Sequence, residues 1–224
     1  MRIVLITFLL ISTIGFSQDV LTKEIGSFKE LKVFSGLTVQ LEKSDTPRIE
    51  ISGKKRDEVV VKNINGRLKL SMRFPETFNA YEADIKLYYS DNLLLVDANE
   101  GAIIASDNDI EQKSIELRVQ EGAVINMPLK VSYLIGKAVS GGQLNVSGEL
   151  ESQDLELTTG GIFDGYDLEA NQTYITSSSG AVGKIFVNEM LDVKVSLGGS
   201  VYYKGNPTDV ISKKIIGGTI KSKD

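Results

Sequence analysis

Past the first seventeen residues, apolar side chains recur at every second position in short runs: Leu37/Val39/Leu41, Ile49/Ile51, Val59/Val61, Leu68/Leu70/Met72 and Ile85/Leu87. Alternation at period two sends one set of side chains to a core and the other to solvent, so these runs predict strands. Helical periodicity is nearly missing, and the chain reads as all-β. Asn65-Gly66 stands between two such runs, and Asn-Gly readily takes the positive φ angles of a tight hairpin turn. The segment from about Val20 to Phe74 therefore predicts an antiparallel meander. Pro75 to Asn79 interrupts the pattern and marks an internal boundary.

Beyond that boundary the sequence repeats. Gly101, Gly122, Gly142, Gly161, Gly180, Gly199 and Gly218 follow one another at spacings of 21, 20, 19, 19, 19 and 19 residues. The residue two after each is apolar in all seven cases: Ile103, Val124, Leu144, Phe163, Val182, Val201 and Ile220. A period near 20 indicates a solenoid. A glycine at a fixed place in each repeat suggests a turn that needs positive φ or a close approach of neighbouring coils. The apolar residue two further on is then expected to point into the stack.

Units of this length are too short for a strand-helix-strand crossover, and segments such as Leu155–Thr159 and Val193–Leu197 have strand composition. The expectation is a single-stranded parallel β-helix of 19–21 residues per coil, preceded by an N-terminal meander that caps it. About seven coils at roughly 4.8 Å each make a rod of about 30–35 Å. An antiparallel sandwich is the rival, but hairpins every ten residues have no reason to keep a 19-residue phase.

The first seventeen residues stand apart. Arg2 precedes an apolar or hydroxyl run from Ile3 to Ile14, and Gly15, Ser17 and Gln18 follow it. That is the plan of a secretory signal peptide, and its 12-residue run falls short of the roughly 20 needed to span a bilayer. No other stretch is apolar enough to span, and no cysteine stands near the cleavage region to take a lipid. The expected organisation is a signal peptide at 1–17, a strand-rich cap at 18–79 and coils at 80–224. The protein is expected to be exported, to the periplasm or to the cell surface.

The 224 residues contain no His, Cys or Trp, which excludes Cys/His zinc sites, Ser-His-Asp and Cys-His nucleophiles and thiol redox chemistry. An exported chain without disulfides has to rely on burial and backbone pairing, which suits a solenoid. The 25 basic residues face 30 acidic ones, and loss of Arg2 with the leader leaves 24. A net negative charge argues against bulk electrostatic binding of nucleic acid or anionic membranes. The clusters Lys54-Lys55-Arg56 and Lys213-Lys214 read as solvated turns.

Three stretches carry a family likeness: Phe34-Ser-Gly-Leu-Thr-Val-Gln-Leu, the ladder of glycine, small and apolar residues, and the closing Gly199-Ser-Val-Tyr-Tyr-Lys-Gly-Asn-Pro207 with Ile216-Gly-Gly-Thr-Ile220. With them the chain resembles the bacterial family called putative auto-transporter adhesin, head GIN domain. The resemblance covers essentially the whole mature chain. It implies a secreted or periplasmic β-helix-like protein of the envelope and brings no catalytic residues with it.

Several β-helix proteins cleave polysaccharides, using clustered carboxylates with calcium and a basic Arg or Lys, or a spaced carboxylate pair. Arg118 is the one arginine within residues 93–224, and the carboxylates show no focus. Asp107, Asp109 and Glu111 alternate, but an EF-hand needs Gly at its sixth place and Glu at its twelfth, where Gln112 and Arg118 stand. Asp164, Asp167 and Glu169 read as a solvated loop. The double glycines lack the helix and spacing of a phosphate cradle. No metal and no cofactor is expected, and no enzymatic activity.

Tyr88-Tyr89 and Tyr202-Tyr203 are the candidate contacts, because alternation sends one ring of each pair outward, where it can stack on a sugar or anchor a partner. The expected function is adhesin-like binding of a glycan or an envelope protein through flat coil faces. The alternatives are an assembly element acting through the solenoid ends and a polysaccharide lyase or hydrolase.

Overall fold

The computed structural model describes residues 20–75, 80 and 82–223. The expected leader at 1–17 lies outside the described residues, as does most of the break at 75–79. The rest is a β-solenoid, and its strands pair in register from coil to coil. Four long strands form its middle: β11 (Val124–Ala138), β12 (Gln143–Leu157), β13 (Ile162–Ser177) and β14 (Val182–Ser196), numbered by their place in the chain. Each pairs in parallel with the next. Each coil of this middle section thus holds one long strand. No helix among the described residues is long and apolar enough to cross a membrane.

Each coil turns through two left-handed residues. Glu121 and Gly122 have φ of 55° and 72°, Ser140 and Gly141 50° and 73°, and Thr159 and Gly160 50° and 72°. Each turn is stitched to the next, since the N–H of Gly122 donates to the Ser140 carbonyl at 3.2 Å and that of Gly141 to Thr159 at 3.1 Å. The seven periodic glycines consequently fall into two classes. Gly101, Gly122 and Gly180 occupy the second left-handed position. Gly142, Gly161, Gly199 and Gly218 stand one residue later, where the other coils have Ala102, Ala123 and Ala181, and neighbouring backbone passes close by.

This one-residue difference corrects the expected inward ladder. Leu144, Phe163 and Val201 are buried as expected, but Ile103, Val124 and Val182 face outward. Their coils send the following residue inward instead, with Ile104 and Ile125 both buried. A shift of one residue exchanges the two faces of a strand.

The N-terminal region also departs from a simple meander. β5 (Val59–Ile64) and β6 (Arg67–Met72) do form the antiparallel hairpin at Asn65-Gly66, with φ of 53° and 77°. In contrast, β2 (Glu30–Val33) and β3 (Thr38–Lys43) flank a left-handed Ser35-Gly36 turn of the solenoid type. They pair in parallel on both sides: β2 with β6 and β8 (Leu95–Ala98), β3 with β7 (Asp84–Tyr89) and β9 (Ile103–Ser106). The coil at 30–43 therefore lies between those at 67–89 and 95–106, out of sequence order. β5 on β6, β4 (Arg48–Ser52) on β7, and β1 (Leu21–Glu24) on β4 run antiparallel and close this end.

From β8 the stack continues through β10 (Ile110–Val119) into β11 and onward in sequence order. It ends at β15 (Ser200–Lys204), β16 (Asp209–Ile215) and β17 (Thr219–Ser222). Among the described residues β16 pairs with β14 and β17 with β15, each on one side. Opposite the buried Val193 and Val195 stand Ser212 and Lys214, so the inward positions turn polar in the last coil, as a terminal repeat requires.

The last turn carries a local conflict. Its first left-handed residue is Ile216, with φ 42° and 76% exposure, where most earlier turns hold Ser, Thr or Glu. A left-handed L-residue costs roughly 1–2 kcal/mol, and Asn tolerates that conformation best among the larger side chains. Ile216→Asn is expected to raise stability by about 1 kcal/mol, a melting shift of roughly 2–4 °C for a domain of this size. A lower melting temperature would contradict the strain argument.

Candidate functional site

In-register parallel pairing converts sequence periodicity into columns of side chains on the outer surface. On the face that follows the turns, one column runs Asn126, Asn145, Asp164, Lys184, Tyr202, Lys221. Beside it, two residues further along each strand, stand Pro128, Ser147, Phe186 and Lys204. Neighbours in a column are about 4.8 Å apart and neighbours along a strand about 6.7 Å, so the two columns form one grid.

The columns are tied by specific contacts. The Asn145 amide donates to Asn126 Oδ1 at 2.6 Å, and Lys184 Nζ to Asp164 Oδ2 at 2.7 Å. That bond holds the Lys184 ammonium above its ordinary pKa, so it stays charged at neutral pH. Lys204 Nζ sits 4.6 Å from the Tyr166 ring centroid, and Lys223 Nζ 5.0 Å from that of Tyr202. Such cation–π contacts fix lysine heads that would otherwise sample many rotamers. Burial raises the Tyr166 phenol, with Lys184 opposing the shift, and the hydroxyl remains a donor. A shallow groove of about 480 Å³ adjoins this cluster, lined by Asn126, Asn145, Ser147, Asp164 and Asp167 among others.

The four tyrosines singled out from the sequence are not equivalent. Tyr202 lies partly exposed in the grid, while Tyr203 packs against the core. Tyr89 is buried at 4% exposure, so its ring is not offered to a partner. Tyr88 faces outward at the capped end. There the Arg48 guanidinium lies 3.5 Å from its ring centroid, and its hydroxyl donates to Glu50 Oε2 at 3.2 Å. Seven strand steps separate Tyr88 from Tyr202, about 34 Å, so the two pairs do not share a site.

Tyr166 belongs to neither tyrosine pair, yet it follows Asp164 by two residues on the outward face of β13. A bulge, where pairing with β14 breaks between Gly165 and Glu169, lies at the same place. Its signal in the sequence is a coil length: the left-handed glycines Gly160 and Gly180 are 20 residues apart, whereas Gly180 and Gly198 are 18 apart.

The acidic groups disperse or pair. Asp107 lines the polar groove, whereas Glu111 lines a separate one of about 630 Å³ with Lys130, Glu149, Glu151 and Glu169. No group of three or more Asp or Glu among the described residues is placed to hold a metal ion. Arg118 lies on the other face, bound to Glu116 at 2.7 Å.

The model of the family described as putative auto-transporter adhesin, head GIN domain matches residues 27–207. No curated protein matches the chain. A solved putative adhesin from Bacteroides fragilis superposes with a TM-score of 0.79 at 18% identity, covering 93% of this chain and 98% of its own. One from Parabacteroides merdae gives 0.72 at 19% identity, covering 94% and 98%. A putative lipid binding protein from Parabacteroides distasonis gives 0.67 at 15%, again covering 94% and 98%. At these identities the likeness establishes a shared fold.

Proposed function

Since the chain belongs to the putative auto-transporter adhesin, head GIN domain family, we propose that it is an exported, non-enzymatic envelope protein that binds a glycan through the face carrying Tyr202. The observation behind this reading is the grid itself: Tyr166 and Tyr202 are held by lysines on a rigid sheet, beside a groove of amides and carboxylates. A sugar ring presents an apolar face to an aromatic side chain and hydroxyls to Asn and Asp, and both kinds of partner are within one or two strand spacings. Because the backbone is already ordered, binding costs little chain entropy.

Tyr202→Ala is expected to weaken glycan binding about tenfold, equivalent to about 1.4 kcal/mol. Its melting temperature should stay close to wild type, because the ring lies at the surface. A glycan array probed with residues 18–224 of both proteins provides the measurement, and unchanged array binding by the variant would sink the assignment of this face. An envelope protein partner is the other occupant of such a surface, to be sought if no glycan binds. A second reading, assembly through the solenoid end, draws on the one-sided pairing of β16 and on Val210 and Ile211, which are 47% and 56% exposed.

A further inference from the structure

The sequence carries more acid than base, 30 residues against 25, yet the last strands of the Tyr202 face present a block of lysines. Lys184 and Phe186 project from β14, Tyr202 and Lys204 from β15, and Lys221 from β17, with Lys223 just beyond it. Parallel register sets Tyr202 between Lys184 and Lys221, and Lys204 next to Phe186. Rings and ammonium groups thus alternate across β14 and β15 at spacings of roughly 5–7 Å, and the last row is lysine alone, Lys221 and Lys223. Lys184 is matched by Asp164, but Lys204, Lys221 and Lys223 form no ion pair among the described residues. Two of these three instead rest on tyrosine rings, which orients the charge without neutralising it.

We infer that the ligand of this face is an anionic glycan, one whose sugar rings stack on Tyr202 and Tyr166 while its carboxylate or sulfate groups meet Lys204, Lys221 and Lys223. The inference rests on the reading that the face binds glycans, and it adds the charge class. A neutral sugar would leave these three cations without an anionic partner, whereas an anionic one gains charge-assisted hydrogen bonds from each. The ammonium groups recur at about one strand spacing, so successive anionic groups of one oligosaccharide can be engaged together.

The test uses the mature chain and its Lys221→Gln/Lys223→Gln variant. Both changes are exposed and at the end of the stack, and a thermal melt checks that the fold is kept. The array should be enriched at least tenfold in acidic over neutral glycans for the wild type, with the enrichment falling as NaCl rises from about 20 to about 300 mM. The variant should lose most of that preference, so that its ratio of acidic to neutral glycan binding falls toward one. Titration with hyaluronan oligosaccharides and with maltodextrins of equal length gives the same comparison in solution.

Glycan binding with no acidic preference and no salt dependence overturns this inference and leaves the proposed function standing. Absence of binding to any glycan overturns both. Tighter binding of an oligothymidylate than of any acidic glycan, lost in the same variant, would overturn the inference in favour of single-stranded nucleic acid, which also uses aromatic rings and cations.

Discussion

Gly148→Ala is expected to destabilise the protein by about 3 kcal/mol or more, seen as a fall in melting temperature of at least about 6 °C. Gly148 has φ +112°, a conformation that L side chains rarely adopt. Its added methyl would also lie 2.1 Å from the Leu129 carbonyl oxygen and 3.0 Å from the Leu129 carbonyl carbon. Those atoms are backbone of the adjoining coil, paired in register with Gly148, and they cannot yield without opening the ladder that joins β11 to β12. Gly141→Ala separates the two effects, since Gly141 has φ +73° but a methyl added there would meet nothing within 4 Å. It should cost only about 1–2 kcal/mol. Equal losses in the two variants would show that the close approach is not what makes position 148 sensitive. Thermal unfolding followed by circular dichroism is the measurement.

Phe163→Ala should cost about 3–5 kcal/mol, the range for removing a fully enclosed aromatic ring. Phe163 is inaccessible to solvent, and in the inward ladder it stands between Leu144 and Gly183. The ring fills space that glycines leave open: a methyl at Gly165 would meet its Cε1 at 2.5 Å, and one at Gly136 its Cε2 at 3.7 Å. Positions 163 and 165 are therefore coupled. Gly165→Ala alone should be destabilising, while added to Phe163→Ala it should cost at least about 1 kcal/mol less. Strict additivity in a double-mutant cycle of denaturant midpoints would refute this account of the packing.

Such couplings explain why some of the fold is legible in the sequence and some is not. Alternation identifies strands such as Leu37–Leu41 and Leu68–Met72 because it reflects a local geometry, one side chain in and the next out. It carries no information about direction, and so the segment around Ser35-Gly36 reads as part of a meander although it forms a parallel coil. Of the candidate contacts, Tyr202 stands in the grid and Tyr89 is enclosed, as alternation allows for one member of each pair. Tyr166, Lys184 and Lys204 occupy outward positions that alternation allows, but their convergence from three strands depends on register, including a bulge whose trace in the sequence is a change of one or two residues in coil length.

An all-β chain coiling at about 19–21 residues follows from residue order alone, since a constant coil circumference forces its glycine turns to recur. Three further features wait on the packed molecule: which residue of each turn takes the left-handed conformation, where the coil at 30–43 inserts, and which rings share a surface with which lysines. Those outcomes depend on register between residues as distant as Lys32 and Asp97, which meet at 2.9 Å across 65 positions. A single pattern of apolar and polar residues repeats identically under several such registers, and packing between whole coils selects one.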